Sequence, residues 1–202
     1  MKHARRPRIA PALVISCSIA LATAAGCANP IADAQILELG PEDPAVPPSD
    51  IHRPGQPCLL CHGPGKGTGP EMAVAGTVFA YPYDLGAEDG DPIPAVGVEV
   101  EISDSLDSSP PTKPVTNCAG NFYVTTQEWR PAFPLRVSIR YQVAPNDTDR
   151  VPMDTRISRD GSCAGCHDGE PNQGSPGWIF CAERASGIVF EKPESCSPST
   201  GQ

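Results

Sequence analysis

Aromatic residues are few in this chain: five Phe, four Tyr and two Trp among 202 positions. That scarcity excludes a large aromatic core and predicts a modest apolar one that needs cross-links or covalent groups to stay folded. Histidine and methionine are scarcer still, at four and three. No Gly-rich phosphate loop, Ser-His-Asp set or H-E-x-x-H string is present, so the usual phosphoryl-transfer, serine-nucleophile and zinc-hydrolase signatures are missing. The longest apolar stretch, Ile9 to Ala25, is too short for a stable membrane span and is broken by Pro11 and Ser16. What the chain has in quantity is 25 Pro, 19 Gly and nine Cys. Such a composition favours turns, extended segments and short strands over long helices.

The N-terminus reads as an export signal. Lys2, Arg5, Arg6 and Arg8 precede the apolar stretch, and Ala24-Ala25-Gly26-Cys27 follows it. That ending resembles a bacterial lipobox, which implies lipidation of Cys27; Ala24 stands where Leu is usual, and plain cleavage after Ala22-Thr23-Ala24 is the alternative. Removing residues 1–27 takes four of the 15 Lys+Arg and none of the 24 Asp+Glu, leaving a net charge of 11 − 24 = −13. A surface this acidic disfavours nucleic acid and bare anionic membrane. It predicts partner proteins with basic docking surfaces, and membrane association only through the lipid anchor.

Two pentapeptides stand out: Cys58-Leu59-Leu60-Cys61-His62 and Cys163-Ala164-Gly165-Cys166-His167. C-x-x-C-H is the attachment signature of c-type haem. Two thiols add to the vinyl groups, and the adjoining imidazole reaches the iron from the same side. The reading assigns covalent attachment of two haems to Cys58, Cys61, Cys163 and Cys166, with His62 and His167 as proximal iron ligands. After the signal is removed the only other His and Met are His52, Met72 and Met153. These are the candidate sixth ligands, Met153 for the second haem and Met72 or His52 for the first, with an open first site or a partner's ligand as the alternatives. Three other readings of the pairs stay open. A four-Cys zinc site requires ligands across 101 intervening residues. Thioredoxin-like redox chemistry lacks its βαβ setting. Two structural disulfides suit an exported adhesion or surface-binding protein. Peroxidase activity at a dihaem site is a remote enzymatic option; the expected role is electron transfer without catalysis.

Between the motifs the apolar period becomes two. Strands are expected over Ala73–Ala80, Val96–Ile102, Phe122–Thr125 and Leu135–Tyr141, separated by Pro/Gly turns. Gly76-Thr77-Val78, Pro94-Ala95-Val96-Gly97-Val98-Glu99-Val100 and Thr116-Asn117-Cys118-Ala119-Gly120-Asn121-Phe122 follow in that order. This order resembles the carboxypeptidase regulatory-like, or transthyretin-like, β-sandwich family over some 70 residues. The resemblance implies a small antiparallel sandwich that acts as a scaffold or adhesion module.

The expected organisation is a signal peptide (1–27), a Pro-rich extended linker (28–57), a first haem segment (58–72), the sandwich (73–143), and a second haem segment with tail (144–202). Further short strands are expected at Trp178–Cys181 and Gly187–Phe190. The ends of a compact domain often lie close together, which predicts that the two motifs are neighbours in space. Cys118, Cys181 and Cys196 remain; Cys181–Cys196 is the first expectation for a disulfide, and Cys118–Cys181 the second. Export points to the periplasm or the outer-membrane surface.

Overall fold

The computed structural model describes residues 29–46, 48–81, 92–106, 110–169, 174–181, 190 and 195–197. The signal peptide, Cys27 and residues 187–189 lie outside them. The chain divides into two units, Met1–Glu38 and Leu39–Gln202.

The described part of the first unit is a helix, α1 (Pro30–Glu38). Asn29 caps it, its side-chain oxygen accepting the Ala32 N–H at 3.2 Å. Pro30 takes the first helical position, where a missing N–H costs nothing, and Asp33 complements the dipole in the first turn. Among the described residues no helix is long and apolar enough to cross a membrane.

The second unit is mainly β. Its strands are β1 (Met72–Phe79), β2 (Glu99–Ser103), β3 (Asn121–Thr125), β4 (Arg136–Ala144), β5 (Asp147–Pro152) and β6 (Ile179–Phe180). They form two three-stranded sheets, ordered β3-β1-β6 and β2-β4-β5. All pairings are antiparallel except β1–β6, which is parallel. Val74, Val78, Phe122 and Val124 from the first sheet share one buried cluster with Val100, Ile102, Ile139 and Tyr141 from the second. Alternation is clear in β2, where Val100 and Ile102 are buried and Glu99, Glu101 and Ser103 are not. β1 is buried at all eight positions, because it is central in its sheet and covered on both faces.

Three expectations are corrected here. Residues 28–57 are not an extended, unpacked linker. They begin with α1, and the segment after it is tied to the sandwich. Asn117 and Asn121 both donate to the Asp50 carbonyl (2.8 and 3.2 Å), Asn121 donates to His52 O (3.1 Å), and Thr77 Oγ1 accepts Gly55 N–H (2.8 Å). The prolines produce turns in a docked strap that buries Ile51. Nor does the β region stop at 143. Asp147–Pro152 forms a hairpin with β4, turning at Asn146 with φ of 68°. Every residue of β5 is exposed, so it has no apolar period to announce it.

The disulfide joins Cys118 to Cys196, Cα to Cα 5.3 Å, and neither expected pairing forms. Cys181 is only 4 % exposed. It follows β6, donates its N–H to Phe79 O at 3.0 Å and belongs to the buried core cluster. Cys118 is on the half-buried turn before β3, where the tail passes; its sulfur also contacts Ser197 O.

Candidate functional site

Both pentapeptides fold into the same turn. In the first, α2 (Leu59–His62) is a single helical turn, with Cys58 already helical at φ −49°, ψ −39°. Cys61 N–H donates to Cys58 O at 3.2 Å, and His62 N–H to the same oxygen at 2.9 Å. In the second, a 3₁₀ turn spans Cys163–Gly165. Cys166 N–H donates to Cys163 O at 3.1 Å, and His167 N–H to the same oxygen at 2.8 Å. Positions i, i+3 and i+4 of a helical turn share a face. The two cysteines and the histidine of each motif hold these positions in the hydrogen-bonding pattern; in the second turn Cys163 is buried against β1 and Cys166 is exposed. Gly63 ends α2; a Cβ there would stand 2.5 Å from Leu59 O.

The two turns are neighbours, 105 residues apart in sequence (58 to 163), and both lean on β1. Ser162 bridges Ala75 in parallel, and Ala75 N–H donates to Gly161 O at 3.0 Å. Cys163 packs so closely on Gly76 that a Cβ at Gly76 would lie 2.7 Å from Cys163 Cβ. On the first-motif side, the Gly55 backbone lies against Phe79 and Trp178, whose rings pack 5.0 Å apart. Trp178 adjoins Gly177, the residue that holds the His167 ring. Burial pushes the Cys163 thiol up to about 12, and the nearby Cys58 and Cys166 charges push the same way. Burial also raises the Cys58 thiol, against a backbone hydrogen bond.

The imidazoles are individually positioned. His167 Nδ1 lies 2.9 Å from the Gly177 carbonyl. Donation there fixes the tautomer and leaves Nε2 as the lone-pair nitrogen, the arrangement usual for metal-bound histidine. His62 Nδ1 is buried without a hydrogen-bond partner, in contact with Gly69, where a Cβ would come within 2.9 Å of the ring. His52 faces it, the ring centres 5.7 Å apart and tilted by 51°. His52 Nδ1 is taken by the Ser49 carbonyl, so its Nε2 is also the free nitrogen.

Of the three candidate sixth ligands, the structure brings His52 to a motif histidine. Met72 is the first residue of β1, buried and paired with Thr125. Met153 follows β5 and donates its N–H to Val137 O; the cavity it lines on the second sheet includes no residue of either motif.

The cysteines of both pairs are free thiols, with Cys58 and Cys61 half-buried, Cys163 buried and Cys166 exposed. Among the described residues no three His, Cys, Asp or Glu side chains converge as they would on a bare metal ion. The strap anchors Asn117, Asn121 and Thr77 were not singled out from the sequence. Nor was Glu71, which accepts Gly65 N–H at 2.9 Å and Thr126 Oγ1–H at 2.7 Å. Those bonds hold its carboxyl below the usual range and clamp the loop after the first motif. The Thr-Asn-Cys-Ala-Gly-Asn turn was a visible signal for the asparagines; their long-range partners were not.

Cys181 gives a direct check on burial. Its thiol is pushed up to about 12 by burial alone. Iodoacetamide at pH 8 is expected to leave it unmodified in the native protein and to label it fully once urea unfolds the chain, as read by peptide mass spectrometry.

Comparison with known protein families, with curated proteins and with solved structures finds no match.

Proposed function

We propose that this protein is an exported dihaem c-type cytochrome that transfers single electrons. One observation carries the reading: the two C-x-x-C-H strings, remote in sequence, adopt the same backbone hydrogen-bonded turn, in which the first Cys carbonyl accepts from the second Cys and from the His. The residues fit covalent haem on further counts. Neither C-x-x-C pair is bridged, whereas Cys118–Cys196 is, which disfavours the paired-disulfide reading. His167 has its Nδ1 committed to Gly177 O, which leaves Nε2 for iron.

Cys58 and Cys61 would hold one haem and Cys163 and Cys166 the other, with His62 and His167 proximal and His52 the sixth ligand at the first. When bound, the haems supply one-electron exchange at iron. The chain supplies position. Gly177 O orients His167 and raises the basicity of its Nε2. Asn121 and Ser49 fix the strap that presents His52. Phe79 and Trp178 pack on each other and against Gly55 of the strap. The transthyretin-like sandwich is the scaffold, and β1 sets the turns side by side. Export through the signal peptide, with Cys27 lipidated, agrees with a disulfide-permissive compartment. The acidic surface suits basic redox partners.

Mass spectrometry of the mature protein, co-expressed with a cytochrome c maturation system, tests this. The expected product carries two haems, one lipid and one disulfide, and shows a Soret band. A colourless product from a competent host overturns the reading.

A further inference from the structure

We propose that the outer face of the second sheet holds a binding site for a small organic oxyanion, a carboxylate or phosphate on an apolar body. The site is independent of the cysteine motifs. Five of the mature chain's 11 Lys+Arg fall on this one face of an acidic protein: Lys113, Arg136, Arg140, Arg150 and Arg156. Glu99 and Glu101 offset part of that charge. Lys113 pairs with both (3.0 and 3.3 Å), and Arg150 reaches Glu101 at 3.0 Å. Burial alone would raise the Glu101 carboxyl, but the bonds from Lys113 and Arg150 prevail and hold it below the usual range. Among the described residues Asp154 adds one further carboxylate at the edge of this face.

A cavity of about 270 Å³ opens in this face. Arg136, Arg150 and Arg156 line it, and Val137, Pro152 and Met153 supply an apolar wall. Ser138 also lines it, in register between Glu101 on β2 and Pro152 on β5. The residue is 2 % exposed, and its hydroxyl is buried with no hydrogen-bond partner. A buried hydroxyl without a partner costs stability unless something occupies the space before it. Guanidinium groups bind carboxylate and phosphate by paired N–H donors, and a serine hydroxyl adds a further donor. The apolar wall selects an anion with a hydrocarbon part over a bare inorganic one.

Selective labelling of the methionine methyls tests this on the mature, haem-loaded protein. Met153 reports from the cavity wall, and Met72, buried in β1, is the internal control. Titration with benzoate or phenyl phosphate is expected to shift the Met153 methyl, leave Met72 unmoved, and bind more tightly than inorganic phosphate. Arg156→Gln, at an exposed position, should weaken binding about tenfold or more with unchanged Tm and an unchanged Soret spectrum; Ser138→Ala should weaken it likewise with an unchanged Soret spectrum and, because it removes an unpaired buried hydroxyl, with no fall in Tm. The proposal is overturned if neither organic anion moves Met153 at about 10 mM, if Arg156→Gln binds as tightly as the parent, or if inorganic phosphate binds as well as phenyl phosphate. It is also overturned if the Met153 methyl of the reduced protein already lies far upfield, the mark of an iron ligand. Haem content is read separately, so failure here leaves the cytochrome reading intact.

Discussion

A single methyl group at Gly161 is expected to detach the second cysteine turn from the sandwich. A Cβ there would sit 2.1 Å from Ala73 O, 2.9 Å from Val74 Cα and 3.0 Å from Ala73 C. All three are backbone atoms of β1, so no side chain can rotate away. Either β1 or the 161–167 segment must move, and β1 is fixed by β3 and β6. What is lost is the Ala75 N–H to Gly161 O bond, the Ser162–Ala75 bridge and the seat of Cys163 on Gly76. Gly161→Ala should cost about 1–3 kcal/mol, a drop in Tm of about 3–10 °C for a domain of this size. The haem-free variant should also expose Cys163, whose thiol in the parent is buried and held up to about 12. Iodoacetamide at pH 8 should then label Cys163 in the folded variant and not in the parent. Gly165→Ala is the control. Its nearest neighbour would be Ser162 Cβ at 3.7 Å, an ordinary contact, and the change should stay within about 0.5 kcal/mol. Equal melting of the two variants, with Cys163 protected in both, would mean that β1 does not seat the second turn.

That dependence on β1 explains what was and was not legible in the sequence. The pentapeptides were visible to the residue because each is a contiguous string, and each folds into one local hydrogen-bonded turn. β2 and β4 were readable because one face of each is wet, so Val100 and Ile102 alternate with Glu99 and Glu101. β5 was not, because Asp-Thr-Asp-Arg-Val-Pro is exposed throughout and is ordered by its ladder to β4 and the turn at Asn146. The strap over residues 39–57 was misread for a related reason. Its proline density speaks for extended chain, but its position is set by Asn117 and Asn121, about 70 residues on. No local pattern reports a partner at that separation. The disulfide failed likewise: loop length favoured Cys181, but Cys181 is a free thiol in the core cluster with Tyr141, and Cys196 meets Cys118 instead.

If the first motif carries haem as proposed, the same strap favours His52 as its sixth ligand, where sequence left His52 and Met72 level. Two imidazoles sharing one metal at about 2 Å each have ring centres roughly 6 Å apart. The 5.7 Å between His52 and His62 is close to that span. His52 commits Nδ1 to Ser49 O, which leaves its Nε2 as the lone-pair nitrogen. His52→Met should therefore raise the potential of one haem by on the order of 0.1 V, since a thioether favours ferrous iron more than imidazole does. The other haem, built on His167, should keep its potential. His52→Ala should open one coordination position at the first haem, seen as a gain in high-spin absorption and carbon monoxide binding over the parent. Asn121→Ala separates position from identity. It keeps the imidazole but removes the bonds to Asp50 O and His52 O that dock the strap, together with the 2.7 Å bond from Thr77 Oγ1. A mixture of high- and low-spin signals at the same haem is expected from it. Spectroelectrochemical titration of the three variants beside the parent gives the answer. If all three keep the parent's potentials and low-spin fraction, His52 is no ligand, and the strap serves only to cover β1.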